Sequence, residues 1–180
     1  KEWFVRAHNI MKRRGFDLTN TYFCTFTVKP EFYDEFCKKP YAFIRRFIDR
    51  MRKDRSLRYK DSVTHRYRYR KLRFPFLFVT EVADGKRAKE RGIPSSHRLH
   101  LHAIMFGCPL PWWTIRHHWL QYGLAWVDPL RSMAGVRYVM KYITKNDPVS
   151  HCVLSDEQKK MNGRLYVSHG FGRLSDSELK

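Results

Sequence analysis

Three groups of side chains in this sequence could do chemistry. The first is Arg98-Leu99-His100-Leu101-His102-Ala103-Ile104-Met105-Phe106. Read as a strand, it sends alternate residues to opposite faces, so His100 and His102 point the same way and Leu99, Leu101, Ala103 and Met105 point into a core. Two imidazoles at i and i+2 on a rigid strand form a bidentate metal platform. The same spacing also suits two half-buried histidines that only hydrogen-bond. Glu81 ends the apolar run Phe76-Leu77-Phe78-Val79-Thr80-Glu81. If that run pairs with the histidine strand, Glu81 is a third ligand candidate; otherwise it is an acid at the solvent end of a strand. Two imidazoles and a carboxylate suit a divalent metal, Mn²⁺ or Mg²⁺, with a phosphate oxygen bound. His97 falls on the Leu99 face if the strand extends that far.

The second group is Tyr138-Val139-Met140-Lys141-Tyr142-Ile143-Thr144-Lys145. At helical spacing, Val136, Val139, Met140 and Ile143 share one side, and Tyr138, Lys141, Tyr142 and Lys145 share the other. Tyrosine hydroxyls one turn apart, flanked by ammonium groups, suit attack on a phosphodiester. Tyrosine ordinarily ionises near pKa ~10, so a metal or lysine must help it react as phenolate. Without the histidine strand, two amphipathic tyrosines on a surface helix would be the preferred reading.

The third group is basic and aromatic. His65-Arg66-Tyr67-Arg68-Tyr69-Arg70-Lys71 alternates cation and ring, and Lys86, Arg87, Lys89 and Arg91 lie between the Glu81 run and the histidine run. Rings stack on bases and cations track phosphates, the footprint of single-stranded nucleic acid. Arg66, Arg68, Arg70, Lys86, Arg87, Lys89 and Arg98 form the expected DNA-contact set; a solvated charged face is the alternative. Trp112-Trp113 reads as a helix start packed on the sheet, and His117-His118 as structural.

The elements that must position these groups follow from periodicity and turn residues. Residues 1–14 read as a short basic helix ended by Gly15, 22–28 as a strand closed by Pro30, and 40–55 as an amphipathic helix. A buried strand at 74–82, a polar loop at 84–97 and the histidine strand at 98–106 follow. Then come a helix at 111–122, a short strand at 124–127 and the tyrosine helix at 132–145. The order β-α-β-β-α-β plus a helix predicts an α+β fold. Its central antiparallel sheet has ferredoxin-like (split βαβ) topology, with helices mainly on one face and the other face free for a ligand. The chain reads as a single domain, 1–180, with a core at about 22–145. The extension from Asn146 carries a strand at 164–168 and the turn Gly170-Phe171-Gly172-Arg173, neither placed by this reasoning.

Composition narrows the partner. Thirty-six Lys and Arg against 17 Asp and Glu give +19 in 180 residues, with a pI near 10.1. This charge points to a polyanion, nucleic acid before an anionic membrane surface. Hydrophobic residues at 43% and aromatics at 16% exclude a disordered basic tail. No run of about 18 apolar residues predicts a membrane span, no signal peptide opens the sequence, and no phosphate-binding G-x-x-x-x-G-K-[ST] occurs. The scattered Cys24, Cys37, Cys108 and Cys152 fit reduced thiols in a cytoplasm rather than a four-cysteine zinc site.

Together these residues resemble the HUH endonucleases. His100-Leu101-His102 before Ile104-Met105-Phe106-Gly107 is similar to their metal motif, Tyr138 to Lys145 to the two-tyrosine nucleophile motif, and Phe23-Cys24-Thr25-Phe26-Thr27 to the first motif. Tyrosines that follow the histidines are arranged as in replication initiators rather than relaxases. The resemblance is to initiators of small single-stranded-DNA phages, the microviruses, and covers about 22–145, including the Trp119-Leu-Gln-Tyr-Gly123 turn. It differs where Val82-Ala83-Asp84-Gly85 and Arg98-Leu99 replace a compact glutamate-x-glycine and arginine-proline.

The resemblance implies that His100, His102 and Glu81 hold the metal and that Tyr142 or Tyr138 forms a 5′-phosphotyrosine with origin single-stranded DNA. Tyr142 ranks first, because Tyr142-Ile-Thr-Lys145 also resembles the single-tyrosine motif. Lys141 and Lys145 neutralise charge. A host helicase and polymerase would be partners in a bacterial cytoplasm. An HUH transposase, a non-catalytic nucleic-acid-binding domain and a zinc hydrolase using His97, His100 and His102 are the competing readings.

Overall fold

The computed structural model describes residues 2–82, 90, 98–144, 156–169 and 171. Its chain order is α1 (Glu2–Arg14), β1 (Tyr22–Phe26), α2 (Pro30–Lys38), α3 (Pro40–Met51), a 3₁₀ turn (Arg55–Leu57), β2 (Arg58–Lys60) and β3 (Tyr67–Tyr69). There follow β4 (Phe76–Val82), β5 (Leu99–Met105), α4 (Trp112–Trp119), β6 (Ala125–Pro129), α5 (Met133–Thr144), α6 (Asp156–Met161) and β7 (Leu165–Val167). The main sheet has the order β6-β1-β5-β4-β7, and every pairing in it is antiparallel. Without β7 this is the strand order 4-1-3-2 of a split βαβ sheet, as the α+β reading expects.

Alternation along the strands sorts the side chains into two layers. Tyr22, Cys24, Phe26, Phe78, Leu99, Leu101, Ala103 and Met105 enter the larger core with Phe36, Phe43, Phe47, Ile48 and Trp119 of α2, α3 and α4. Phe26 packs on Trp119 at 4.7 Å and on Phe47 at 5.2 Å between ring centroids. The opposite face carries Leu77, Val79 and Ile104, covered by Ala7 and Ile10 of α1 and Val136 and Val139 of α5. The expectation of a free second face is therefore corrected: that face has two helices over one end. Its apolar residues at that end need covering, and its polar residues at the other end do not.

Other elements depart from expectation for identifiable reasons. Pro30 starts a helix rather than only closing a strand, because a first-turn proline has no amide to lose there. The helix expected at 40–55 ends at Met51, and Asp54 then caps the 3₁₀ turn by accepting from the Ser56 amide. Alternating cations and tyrosines at 58–69 form a separate, fully exposed two-stranded ribbon. Trp112 and Trp113 are exposed and pack on each other, not on the sheet, because Ile115 and Trp119 supply α4's buried stripe. The extension adds α6 and β7; β7 takes the place beside β4. Gly170 and the residues after Phe171 lie outside the described set, as does Cys152. Cys24, Cys37 and Cys108 are buried. Among the described residues no helix is long and apolar enough to cross a membrane.

Two contacts fix the top of β1. The Trp119 indole donates to the Thr27 carbonyl at 2.8 Å, and Gly123 passes so close that an added Cβ would stand 2.1 Å from that oxygen. Gly123→Ala must push backbone against backbone. We expect a loss of about 2 kcal/mol, read as a fall in Tm of roughly 4–8 °C.

Below the sheet, Asp54 accepts from Ser56 and from the His118 ring, whose Nε2 is 2.7 Å away. Burial raises the Asp54 carboxyl, but these bonds outweigh it and hold it below the ordinary aspartate range. A folded value below the unfolded one stabilises the fold above the unfolded value, and that contribution disappears as pH falls through the folded value. Asp54→Asn should therefore flatten the loss of stability below about pH 4 in acid titrations followed by circular dichroism.

Candidate functional site

The site begins with register. β4 and β5 pair so that Glu81 stands directly opposite His100, and Val79 opposite His102. Direct antiparallel partners share a face, so the carboxylate and both imidazoles project together. Glu81 Oε2 lies 2.7 Å from His102 Nε2 and 3.2 Å from His100 Nε2, and the two Nε2 atoms are 3.1 Å apart. Glu81 and His102 are buried, and His100 is partly so.

The outer ring nitrogens are anchored. His100 Nδ1 lies 3.2 Å from the Arg98 carbonyl, which can only accept, so Nδ1 carries the proton and Nε2 presents a lone pair. His102 Nδ1 is 3.0 Å from the Thr25 hydroxyl. Such outer partners fix the ring orientation of ligating histidines. Burial pushes the Glu81 carboxyl up, but when no cation is bound and the rings are protonated, the hydrogen bonds and charges of His100 and His102 overcome it and bring it to about 2. Glu81 is thus ionised at neutral pH.

This donor set fits a divalent ion. Lone pairs from two imidazoles and a carboxylate crowd one point, and they need a positive charge among them. Two ligands about 2.1 Å from an octahedral ion and at right angles stand about 3.0 Å apart, close to the separations seen here. Glu81, His100 and His102 are also the group of potential ligands found among the described residues. His97 lies outside those residues.

The strand that carries Glu81 is held on both sides. β5 pairs along one edge, and the extension grips the other. The Val82 amide donates to Asn162 Oδ1 at 3.0 Å, the Thr80 amide to the Arg164 carbonyl at 3.1 Å, and the Thr80 hydroxyl to the Met161 carbonyl. Nothing in the sequence of the extension announces this role, because it is carried mainly by backbone groups and one amide side chain.

The tyrosine helix crosses the same face. Val136 and Val139 are buried beneath it, while Tyr138 is 42% exposed and Lys141 is exposed. The Tyr138 ring stands edge-on to His102, centroids 6.3 Å apart, and to Phe23 at 5.9 Å. Tyr142 follows one helical turn later; its side chain, Lys145, and the loop cations Lys86, Arg87 and Lys89 lie outside the described residues.

The remaining basic residues separate. Arg98 donates to the Val28 carbonyl at 3.2 Å and lies over the Tyr33 ring at 4.4 Å, so its guanidinium is tied into the fold. Arg68 is on the exposed ribbon, 3.6 Å from Asp61, with Arg66 and Arg70 flanking its strand. Arg58 stacks on Tyr67 at 3.8 Å. The ribbon is a cationic arm built apart from the metal-ligand cluster.

Residues 21–147 match the family of the replication-associated protein ORF2. The chain belongs to that family. The match takes in β1, the Glu81 strand, the histidine strand and the tyrosine helix, so the replication-associated segment and the clustered side chains coincide. No curated protein and no solved structure gave a match.

One residue next to the site is not among the sequence candidates. Trp126 lies across from Thr25 on β6, on the face that carries the histidines. Its signal is an aromatic between Ala125 and Val127 on a strand whose inward places suit small residues.

The anchoring of His102 gives a direct test of the cluster. His102→Ala should abolish Mn²⁺ binding measured by titration calorimetry. Thr25→Val should weaken it about 10- to 100-fold while leaving the circular dichroism spectrum unchanged.

Proposed function

We propose that this protein is an HUH-type single-stranded DNA endonuclease and strand transferase that initiates and terminates rolling-circle replication, similar to the initiators of small single-stranded-DNA phages. The observation that carries the reading is the convergence of Glu81, His100 and His102 with the Tyr138 ring beside His102. Membership of a replication-associated family and a charge of +19 support DNA as the substrate.

His100, His102 and Glu81 would hold Mn²⁺ or Mg²⁺. When bound, such an ion supplies charge that polarises the scissile phosphate and steadies its oxygens. The chain's own residues do the rest. The hydroxyl of Tyr138 or Tyr142 attacks phosphorus; a Tyr Oη–P bond forms and the P–O3′ bond breaks. The phenolic proton is released to water, and the departing 3′ oxygen takes one up. One phosphodiester replaces another, so the 5′-phosphotyrosine keeps the bond energy and the reverse step rejoins strands. Lys141 and Lys145 neutralise charge around the phosphate. With two tyrosines on one helix, the second can cut a regenerated origin while the first still holds an end.

Thr25 and Arg98 act as positioning residues, one bonded to each histidine ring. Arg66, Arg68 and Arg70, with Lys86, Arg87 and Lys89, would follow the DNA backbone. The released 3′-hydroxyl serves a host polymerase, with a host helicase, in a bacterial cytoplasm. The 22–145 core is one catalytic domain, and the C-terminal extension steadies Glu81.

The test is covalent trapping. Purified protein is incubated with Mn²⁺ and a randomised single-stranded DNA pool and run on a denaturing gel. We expect a metal-dependent protein–DNA band that survives Tyr138→Phe or Tyr142→Phe alone and disappears in the double variant or with chelator. Salt-sensitive binding that persists in chelator, with no adduct, would instead describe a non-catalytic DNA-binding domain.

A further inference from the structure

Strand β6 forms one edge of the sheet, and its two largest apolar side chains on the site face meet solvent. Trp126 is 74% exposed and Leu124, immediately before the strand, 64%. Ala125 and Val127, which alternate with them, are buried on the other face. Trp126 is the direct partner of Thr25, and Thr25 is the direct partner of His102. Trp126, Thr25 and His102 therefore stand in one row across three strands and project from one face. With strands about 4.8 Å apart, the indole is rooted about 10 Å from the root of His102.

The row is rigid. Thr25 bonds the His102 ring. Leu124 is fixed through Thr27, whose amide donates to the Leu124 carbonyl at 2.9 Å. The Leu124 amide in turn donates to the Thr27 hydroxyl at 3.3 Å.

We propose that Trp126, with Leu124 beside it, is a stacking shelf for the base of a nucleotide next to the phosphate held at Glu81, His100 and His102. The inference rests on the nuclease reading for the position of that phosphate, and adds an affinity element to it. Three observations single out a nucleic-acid base. The exposed apolar area is one indole and one leucine, and an aromatic side chain offers roughly 150–250 Å². That is far short of the roughly 800 Å² each partner contributes to a stable protein interface. The ligand cluster lies two strands away on the same face, and the whole chain is strongly cationic, so a polyanion that carries flat apolar rings complements both. An indole has a π-face for any base and offers one hydrogen-bond donor, so the shelf adds affinity and register without selecting sequence.

The decisive probe needs no knowledge of the origin. Fluorescein-labelled oligothymidylate and an abasic deoxyribose-phosphate chain of the same length are titrated, by anisotropy, with wild type, Trp126→Ala and Trp126→Phe in the presence of Mn²⁺. Wild type should favour oligothymidylate by about 10- to 100-fold. Trp126→Ala should lose most of that preference while binding the abasic chain as wild type does, and Trp126→Phe should keep most of it. Melting temperatures should coincide, because the indole is exposed.

Two results overturn the shelf: no preference for bases in wild type, or an undiminished preference in Trp126→Ala. The latter would move stacking to Trp112-Trp113 or the ribbon tyrosines. Covalent trapping of the same proteins separates the two ideas. An adduct with no role for Trp126 removes the shelf alone. A base preference that depends on Trp126, with no adduct from wild type, removes the nuclease alone.

Discussion

The ladder between β4 and β5 is the constraint on which the site depends. Because Glu81 is the register partner of His100 rather than of a neighbour one residue along, three lone-pair donors leave the sheet on one face within reach of one another. A slip of one residue would turn the carboxylate into the aromatic core, where Phe78 and Leu101 now lie. The core polices that register. The alternate residues of both strands are almost all large and apolar, so exchanging faces would bury charge and expose phenylalanine. Apolar packing on one side thus enforces polar convergence on the other.

The architecture also divides labour by face and by end. Three helices bury the larger core, while α1 and α5 cover only the apolar end of the opposite face. The tyrosine helix thereby lies across the sheet with Val136 and Val139 down and Tyr138 toward His102. The cationic ribbon at 58–69 is a sheet of its own, outside that chemistry. It has a hairpin turn fastened by Asp61 to the Val63 and Thr64 amides, and its cations and rings all face water.

What the sequence discloses and what it withholds follow from the same physics. The histidine strand is legible because period-two alternation separates imidazole from leucine at each step. Glu81 is legible as the last residue of an apolar run. The helix at 30–38 is hidden because Pro30 reads as a stop, although a proline costs nothing at a helix's first turn. The ribbon is hidden because its charges advertise binding more loudly than its tyrosines advertise a strand. Trp126 is hidden by a general expectation that tryptophan goes inside. The position beneath it is already filled by Phe26 against Trp119, so the small neighbours Ala125 and Val127 face inward. The role of the extension is illegible because it works through backbone bonds to β4.

The pairing of β4 with β5 carries a consequence for how such a protein can vary. The donors sit at the connected end of this two-stranded unit, yet their spacing is set by the ladder running away from that end. The ladder pairs themselves, from Val82–Leu99 to Phe76–Met105, set that spacing. Chain can be gained, lost or exchanged between Val82 and Arg98 as long as the first pair re-forms and the Arg98 carbonyl keeps its place beside His100. For lineage change and for engineering alike, that makes the junction a natural insertion point. New recognition elements could be grafted beside the reactive centre without retuning the centre itself.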